Sequence, residues 1–80
     1  MQISAQVSLY PLKHQRLSPA IEEAWEILEK NELNVKKGDM STVVTGEADK
    51  VFEAMKQIFL STIKKGPVSM VVTFSNACPI

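Results

Sequence analysis

Hydrophobic and polar positions alternate at the start of the chain and then change period. Between positions 3 and 9 every second residue is apolar, and this period of two predicts a strand with one buried face. Between positions 21 and 28 apolar residues recur three and four apart, which predicts a helix with Ser18 as N-cap and Pro19 as its first residue. The first two predicted elements are a strand that ends at Pro11 and an amphipathic helix.

The rest of the chain repeats this order. Positions 33–37 and 40–45 are short segments on either side of the turn signal Gly38-Asp39. They predict two strands joined as a hairpin, with a bulge at Gly38 as the alternative. Apolar residues at helical spacing between positions 51 and 63 predict a second helix, which ends in a basic turn before Gly66. Val68 to Ser75 predicts a fourth strand.

The element order βαββαβ predicts an α+β fold. Two right-handed crossovers give a four-stranded antiparallel sheet with both helices on one face, which is the ferredoxin-like sandwich. A chain of 80 residues is typical of one domain, here positions 1–80, with a core of modest size.

The fourth predicted strand bears on assembly. Its apolar residues fall on both parities: Val68, Met70, Val71, Val72 and Phe74. A sheet that is open on one side needs apolar residues only toward its helices, so this pattern predicts a covering partner. A hydrophobic edge strand also invites pairing with another chain. We therefore expect a homodimer or homotetramer formed through the sheet face or the edge strand.

Composition narrows the classes of partner. Nine basic and nine acidic residues give zero net charge, so no basic surface favours nucleic acid. No apolar run is long enough to span a membrane, and the alternating N-terminus is not typical of a signal peptide. The single cysteine, Cys78, fits a reducing compartment. These features predict a cytoplasmic protein with no nucleic-acid or membrane partner.

Residues that commonly carry catalysis are isolated in this sequence. His14 lies in the predicted loop after the first strand without a patterned partner, which favours a solvated position. Cys78 precedes Pro79 and favours packing over nucleophilic chemistry. The chain has neither a cysteine pair with metal-ligand spacing nor a glycine-rich phosphate loop. We expect a protein that is not an enzyme and has no metal or cofactor.

Small hydroxyl and amide side chains collect in three segments, 6–11, 39–46 and 73–79, among β-branched and aromatic residues. Strands from distant parts of a chain can share one sheet, so these groups could converge on one small molecule. An ordinary open sheet face is the alternative. Asp39 is either a turn residue that binds its own backbone or a carboxylate that accepts from a ligand. Tyr10 and Phe74 are candidates for stacking on a ring.

The same segments resemble those of a known family, the YkoF-like thiamine/hydroxymethylpyrimidine-binding proteins. The matching residues, in chain order, are Ser8-Leu9-Tyr10-Pro11, Asp39-Met40-Ser41-Thr42 with Gly46, Val51-Phe52, Lys56, Ile58-Phe59-Leu60, Thr73-Phe74-Ser75 and Cys78-Pro79. The resemblance implies ferredoxin-like modules that pair through their sheets and bind thiamine or its pyrimidine part without turnover. Its best-matching members carry two modules in one chain, so a homodimer of this chain would rebuild the pair.

The resemblance and the side-chain chemistry together give a candidate ligand site. Its members are Asp39, Ser41 and Thr42 as polar contacts, Tyr10 and Phe74 as ring neighbours, and Gln6 and Ser8 on the outward face of the first strand. The expected function is non-catalytic binding of thiamine or hydroxymethylpyrimidine in uptake, salvage or homeostasis, with that molecule as ligand and no cofactor. The alternative is a ligand-sensing regulatory module that binds another small metabolite at a dimer interface.

Overall fold

Two helices cover one face of a four-stranded antiparallel sheet in the computed structural model, which describes residues 1–11, 17–38 and 41–77. The strands are β1 (Gln2–Pro11), β2 (Asn34–Lys37), β3 (Thr42–Glu47) and β4 (Val68–Ser75), and the helices are α1 (Leu17–Lys30) and α2 (Ala48–Ile63). This order confirms the predicted ferredoxin-like fold. The sequence predictions for His14, Asp39 and Cys78 lie outside the described residues.

The strand order across the sheet is β2-β3-β1-β4. β1 is hydrogen-bonded to β3 on one side and to β4 on the other, so it forms the centre of the sheet with β3. β2 and β3 pair antiparallel, as the predicted hairpin requires. The Gly38 N–H donates to the Ser41 carbonyl oxygen at 2.9 Å and closes the turn between them. β2 and β4 are the two edges.

Two element boundaries differ from the sequence predictions. α1 begins at Leu17, so Ser18 lies inside the helix and is not its N-cap. β3 continues through Gly46, which the sequence pattern had placed before the second helix. A Cβ at position 46 would lie 2.4 Å from the Leu33 Cδ2 atom. Because glycine has no Cβ, β3 can pass close to the buried Leu33 side chain at this position.

The hydrophobic core lies between the sheet and the helices. Ile3, Ala5 and Val7 are buried on the helix side of β1, and Ala5 pairs with Val44 of β3. The helices supply the other large buried side chains, notably Leu28 of α1 and Val51 and Ile58 of α2. The period-two pattern of β1 therefore assigned the buried face of the central strand correctly.

The apolar residues of β4 nearly all point toward the helices, which corrects the prediction of two apolar faces. Met70 pairs with Leu9 and Val72 pairs with Val7, so both share the helix face with those residues. In this fully described strand only Val71 is apolar and on the opposite side, where it pairs with Ser8. Val71 is therefore the one apolar side chain that β4 directs to the face opposite the helices.

Candidate functional site

The face of the sheet opposite the helices, called the outer face below, is lined by hydroxyl and amide groups. Ser4, Gln6 and Ser8 alternate with buried apolar residues along β1, so they point away from the helices. The register adds Thr45 of β3 opposite Ser4 and Thr73 of β4 opposite Gln6. Three strands thus contribute polar side chains to one surface.

A hydrogen bond joins β1 to the start of β3 on the outer face. The Gln6 Nε2 atom donates to Ser41 Oγ at 3.1 Å. Because Val7 pairs with Thr42, the same register continued by one residue places Ser41 opposite Ser8. Gln6, Ser8 and Ser41, which the sequence assigned to one site, therefore lie together.

Tyr10 lies on the same face near the end of β1. It pairs with Ser69 of β4, and 48% of the residue is exposed. It lies four positions after Gln6, which is roughly 13 Å along a strand. A half-exposed phenol ring beside small hydroxyl groups provides a surface on which a flat ligand can stack.

Thr42 and Phe74 lie on the helix face, which corrects the prediction that the candidate residues converge at one place. Thr42 Oγ1 accepts a hydrogen bond from Trp25 Nε1 of α1 at 3.5 Å. Phe74 pairs with Ala5, and its ring lies 4.6 Å from the Phe52 ring of α2, centroid to centroid. Neighbours such as Ser41 and Thr42 point to opposite faces because the side-chain period of a strand is two. Asp39 lies outside the described residues.

β3 and β4 add four hydroxyl-bearing residues to the outer face that were not predicted as members of the candidate site: Thr45, Ser69, Thr73 and Ser75. The sequence does not show that these residues point to the same face as Gln6 and Ser8. That depends on how β3 and β4 align with β1, and the sequence of a single strand does not contain this register.

The outer face is uncharged along β1 and β4, whereas β2 adds Lys36 opposite Val43. The side chains that β1 and β4 direct to it between positions 4 and 10 and between positions 69 and 75 are all uncharged. Glu47 lies at its margin and accepts from the N-terminal amine of Met1 at 2.8 Å. Within the described residues, no three His, Cys, Asp or Glu side chains are grouped to hold a metal ion. The surface therefore suits recognition through neutral hydrogen bonds and stacking.

The sequence matches a known protein family over nearly its whole length. The profile of the YKOF-related family matches residues 2–80. The chain belongs to this family. The match confirms the family resemblance that the strand-end motifs indicated.

Solved structures share the fold over nearly the whole chain. A hypothetical protein of Methanocaldococcus jannascii is 26% identical with a TM-score of 0.86, and the match covers 95% of this chain and 80% of that one. A protein of Streptococcus pneumoniae is 20% identical with a TM-score of 0.84, over 96% and 88% of the two chains. A Thermotoga maritima protein provisionally assigned to thiamine biosynthesis or salvage is 15% identical with a TM-score of 0.83, over 96% and 85%. None of the curated proteins matches the chain.

The described part of this YKOF-related chain contains no helix that is long and apolar enough to cross a membrane.

The turn before β3 is expected to control the position of Ser41. In Gly38→Ala the new Cβ would lie 2.8 Å from the Ser41 carbonyl oxygen, a backbone atom that cannot rotate away. The turn must open, so we expect a loss of about 1 kcal/mol or more in the free energy of unfolding and a weakened Gln6–Ser41 hydrogen bond. Urea unfolding and the NMR signal of the Gln6 side-chain amide measure the two effects. Ser69→Ala, at an exposed position of β4, is the control, and equal stability of both variants would contradict this role for Gly38.

Proposed function

We propose that this chain binds thiamine or its hydroxymethylpyrimidine part on the outer face of the sheet, in uptake, salvage or homeostasis of the vitamin. The observation that carries the proposal is the Gln6–Ser41 hydrogen bond at 3.1 Å, set in an uncharged row of hydroxyl groups. Membership of the YKOF-related family supports this class of ligand. The thiamine-related assignment of the Thermotoga maritima neighbour points in the same direction.

The chemistry of the outer face matches the needs of an aminopyrimidine. Such a ring presents an amino group that donates and ring nitrogens that accept. The Gln6 amide both donates and accepts, and the Ser8 and Ser41 hydroxyl groups can do either. The Tyr10 ring offers a flat apolar surface for stacking, and it would also attract the cationic thiazolium ring of thiamine. Asp39, which follows the turn residue Gly38 in the sequence, stays the predicted acceptor for the ligand amino group.

The groups of the described outer face support binding without turnover. Hydroxyl and amide side chains orient a ligand through hydrogen bonds, but they supply neither a strong acid nor a strong base near neutral pH. The proposal therefore gives Gln6, Ser8, Tyr10 and Ser41 binding roles and assigns no catalytic residue.

Ligand-induced stabilisation tests the proposal. At a hundredfold excess over its dissociation constant, a ligand that binds only the folded state adds about 2.7 kcal/mol of stability. A domain of this size gains about 4–8 °C per kcal/mol, so thiamine or hydroxymethylpyrimidine should raise the melting temperature by about 10 °C or more. Differential scanning fluorimetry with both compounds and with a panel of amino acids is the measurement.

The outcomes distinguish the proposal from its rivals. A shift with thiamine or hydroxymethylpyrimidine and none with amino acids supports it. A shift with an amino acid alone would instead identify a regulatory module that senses that metabolite. Incubation with thiamine and its phosphates, followed by chromatography, tests the non-catalytic part, because any product that depends on the protein would contradict it.

A further inference from the structure

One lysine of β2 points to the outer face of the sheet. Lys36 pairs with Val43 of β3, and Val43 pairs in turn with Gln6 of β1. Paired residues of neighbouring strands point to the same side, so Lys36 shares the outer face with Gln6. Lys36 is exposed, and no ion pair within the described residues involves it. The neutral side chains of β1 are therefore bordered on the β2 side by one unpaired ammonium group.

The next lysine of β2 is engaged on the other side of the sheet. Lys37 Nζ lies 4.1 Å from the centroid of the Trp25 ring of α1, and Lys37 pairs with Thr42 on the helix face. The face of an indole ring attracts a cation at this distance. Of these two lysines, Lys36 is the one that is available to an anion on the outer face.

Two neutral hydrogen-bond donors lie next to Lys36. Asn34 points to the same face two positions earlier and pairs with Thr45 of β3, so their side chains are direct neighbours at about 5 Å. Lys36 and Thr45 are diagonal neighbours across the same two strands, at about 7–8 Å. Ammonium, amide and hydroxyl groups all donate hydrogen bonds. These three residues, called the anion subsite below, therefore surround one position with donors.

The described carboxylates beside the anion subsite have cationic partners of their own. Glu47 lies two positions after Thr45 and accepts from the Met1 amine at 2.8 Å. Glu32, which precedes β2, is paired with Lys50 of α2 at 3.5 Å. The unpaired charge at this side of the outer face is therefore positive.

We propose that the ligand of the outer face carries a phosphate group and that the anion subsite binds it. The inference rests on the proposed function, which assigns the pyrimidine ring to Gln6, Ser8 and Ser41. Lys36 and Gln6 stand two strands apart in one row of the sheet, which is about 10 Å between their backbones. The flexible four-carbon stem of lysine lets its ammonium group span part of this distance. A phosphate ester that extends from the ring toward β2 comes within reach of Lys36.

A phosphate ester fits these donors better than a neutral alcohol does. A phosphate monoester carries a charge of about −1.5 to −2 near neutral pH and three strong acceptor oxygens, and lysine binds phosphate as a point charge. Lys36 also repels the thiazolium cation of free thiamine, whereas an ester group offsets that charge. Thiamine and hydroxymethylpyrimidine each have a hydroxyl group that can carry the ester, so the test includes both.

Titration calorimetry with two pairs of compounds tests the inference. The pairs are thiamine with its monophosphate and hydroxymethylpyrimidine with its phosphate ester, in a buffer of low ionic strength that contains no phosphate. We expect at least one ester to bind the parent protein about tenfold or more tightly than its own alcohol, because hydrogen bonds to charged groups are the strong ones. The ester that shows this preference identifies the source of the phosphate group.

Substitution of each β2 lysine separates the anion subsite from general charge. Lys36→Gln should remove the preference for the ester, whereas Lys36→Arg should keep it. Lys37→Gln is the matched control, because it removes the same charge from the same strand on the helix face, and it should keep the preference. Both positions are exposed, so the fold should tolerate the changes, and circular dichroism verifies this. Asn34→Ala, a second variant of the anion subsite, should reduce the preference without a change of charge.

The outcomes distinguish this inference from the proposed function. Equal affinity for both esters and their alcohols would overturn the inference alone, and Lys36 would then only protect the sheet edge. A preference that survives in Lys36→Gln would also overturn it, because the phosphate group would lie elsewhere. Equal loss of the preference in Lys37→Gln would do so as well, since the effect would depend on net charge. Absence of binding by all four compounds would overturn the proposed function and the inference together.

Discussion

Val72→Lys is expected to lower the melting temperature by about 10 °C or more, whereas Val71→Lys, one residue earlier, keeps the fold. Val72 pairs with Val7 on the helix face and packs against the buried core. Full burial of a valine side chain is worth about 1.5–3 kcal/mol, and Val72→Lys removes much of that burial. It also directs an ammonium group toward the apolar layer, where a charge without a partner is strongly unfavourable.

The two variants separate the two faces of β4. Val71→Lys changes a half-exposed side chain of the outer face, so any loss of stability in it measures the effect of a lysine in the strand itself. The additional loss in Val72→Lys measures the packing of β4 under the helices. Thermal melts of both variants, followed by circular dichroism at the same protein concentration, provide the comparison. Equal melting temperatures would contradict the register that pairs Val7 with Val72.

Local pattern was sufficient to predict the elements of the fold. The strict alternation from Ile3 to Leu9 predicted a half-buried strand, and β1 is one. The segment Val68 to Ser75 was predicted with the bounds that β4 has. Both segments are short and have clear turn or proline signals at their ends, so few other assignments compete with them.

The side of the sheet to which each β4 side chain points was harder to predict. Met70, Val71 and Val72 form an uninterrupted apolar run, and such a run does not reveal which residues point to the core. The assignment depends on pairing with β1, which comes from a distant part of the chain. A register shift of one residue would exchange the two faces of the strand.

The candidate site was recovered only in part for the same reason. Gln6, Ser8 and Tyr10 belong to one strand, so their shared face could be predicted from parity alone. Thr42 was assigned to the site for its hydroxyl group, which instead accepts from Trp25 of α1. Phe74 was assigned for its ring, which packs on Phe52. Both contacts join residues that are far apart in sequence, and no local motif predicts them.

Gln6→Ala is expected to weaken the binding of thiamine or hydroxymethylpyrimidine by about five- to 150-fold. The change removes the amide that donates to Ser41 Oγ and, in the proposed complex, also contacts the ligand. A buried polar group left without its partner costs about 1–3 kcal/mol, and each 1.4 kcal/mol corresponds to about a tenfold change in affinity.

Thr42→Val is the matched control, because it removes a hydroxyl group at a similar depth of the sheet but on the helix face. We expect Thr42→Val to keep its affinity and to lose only the stability that the Trp25 contact provides. Isothermal titration calorimetry with matched melting curves measures both, and a larger affinity loss in Thr42→Val than in Gln6→Ala would move the binding site to the helix side of the sheet.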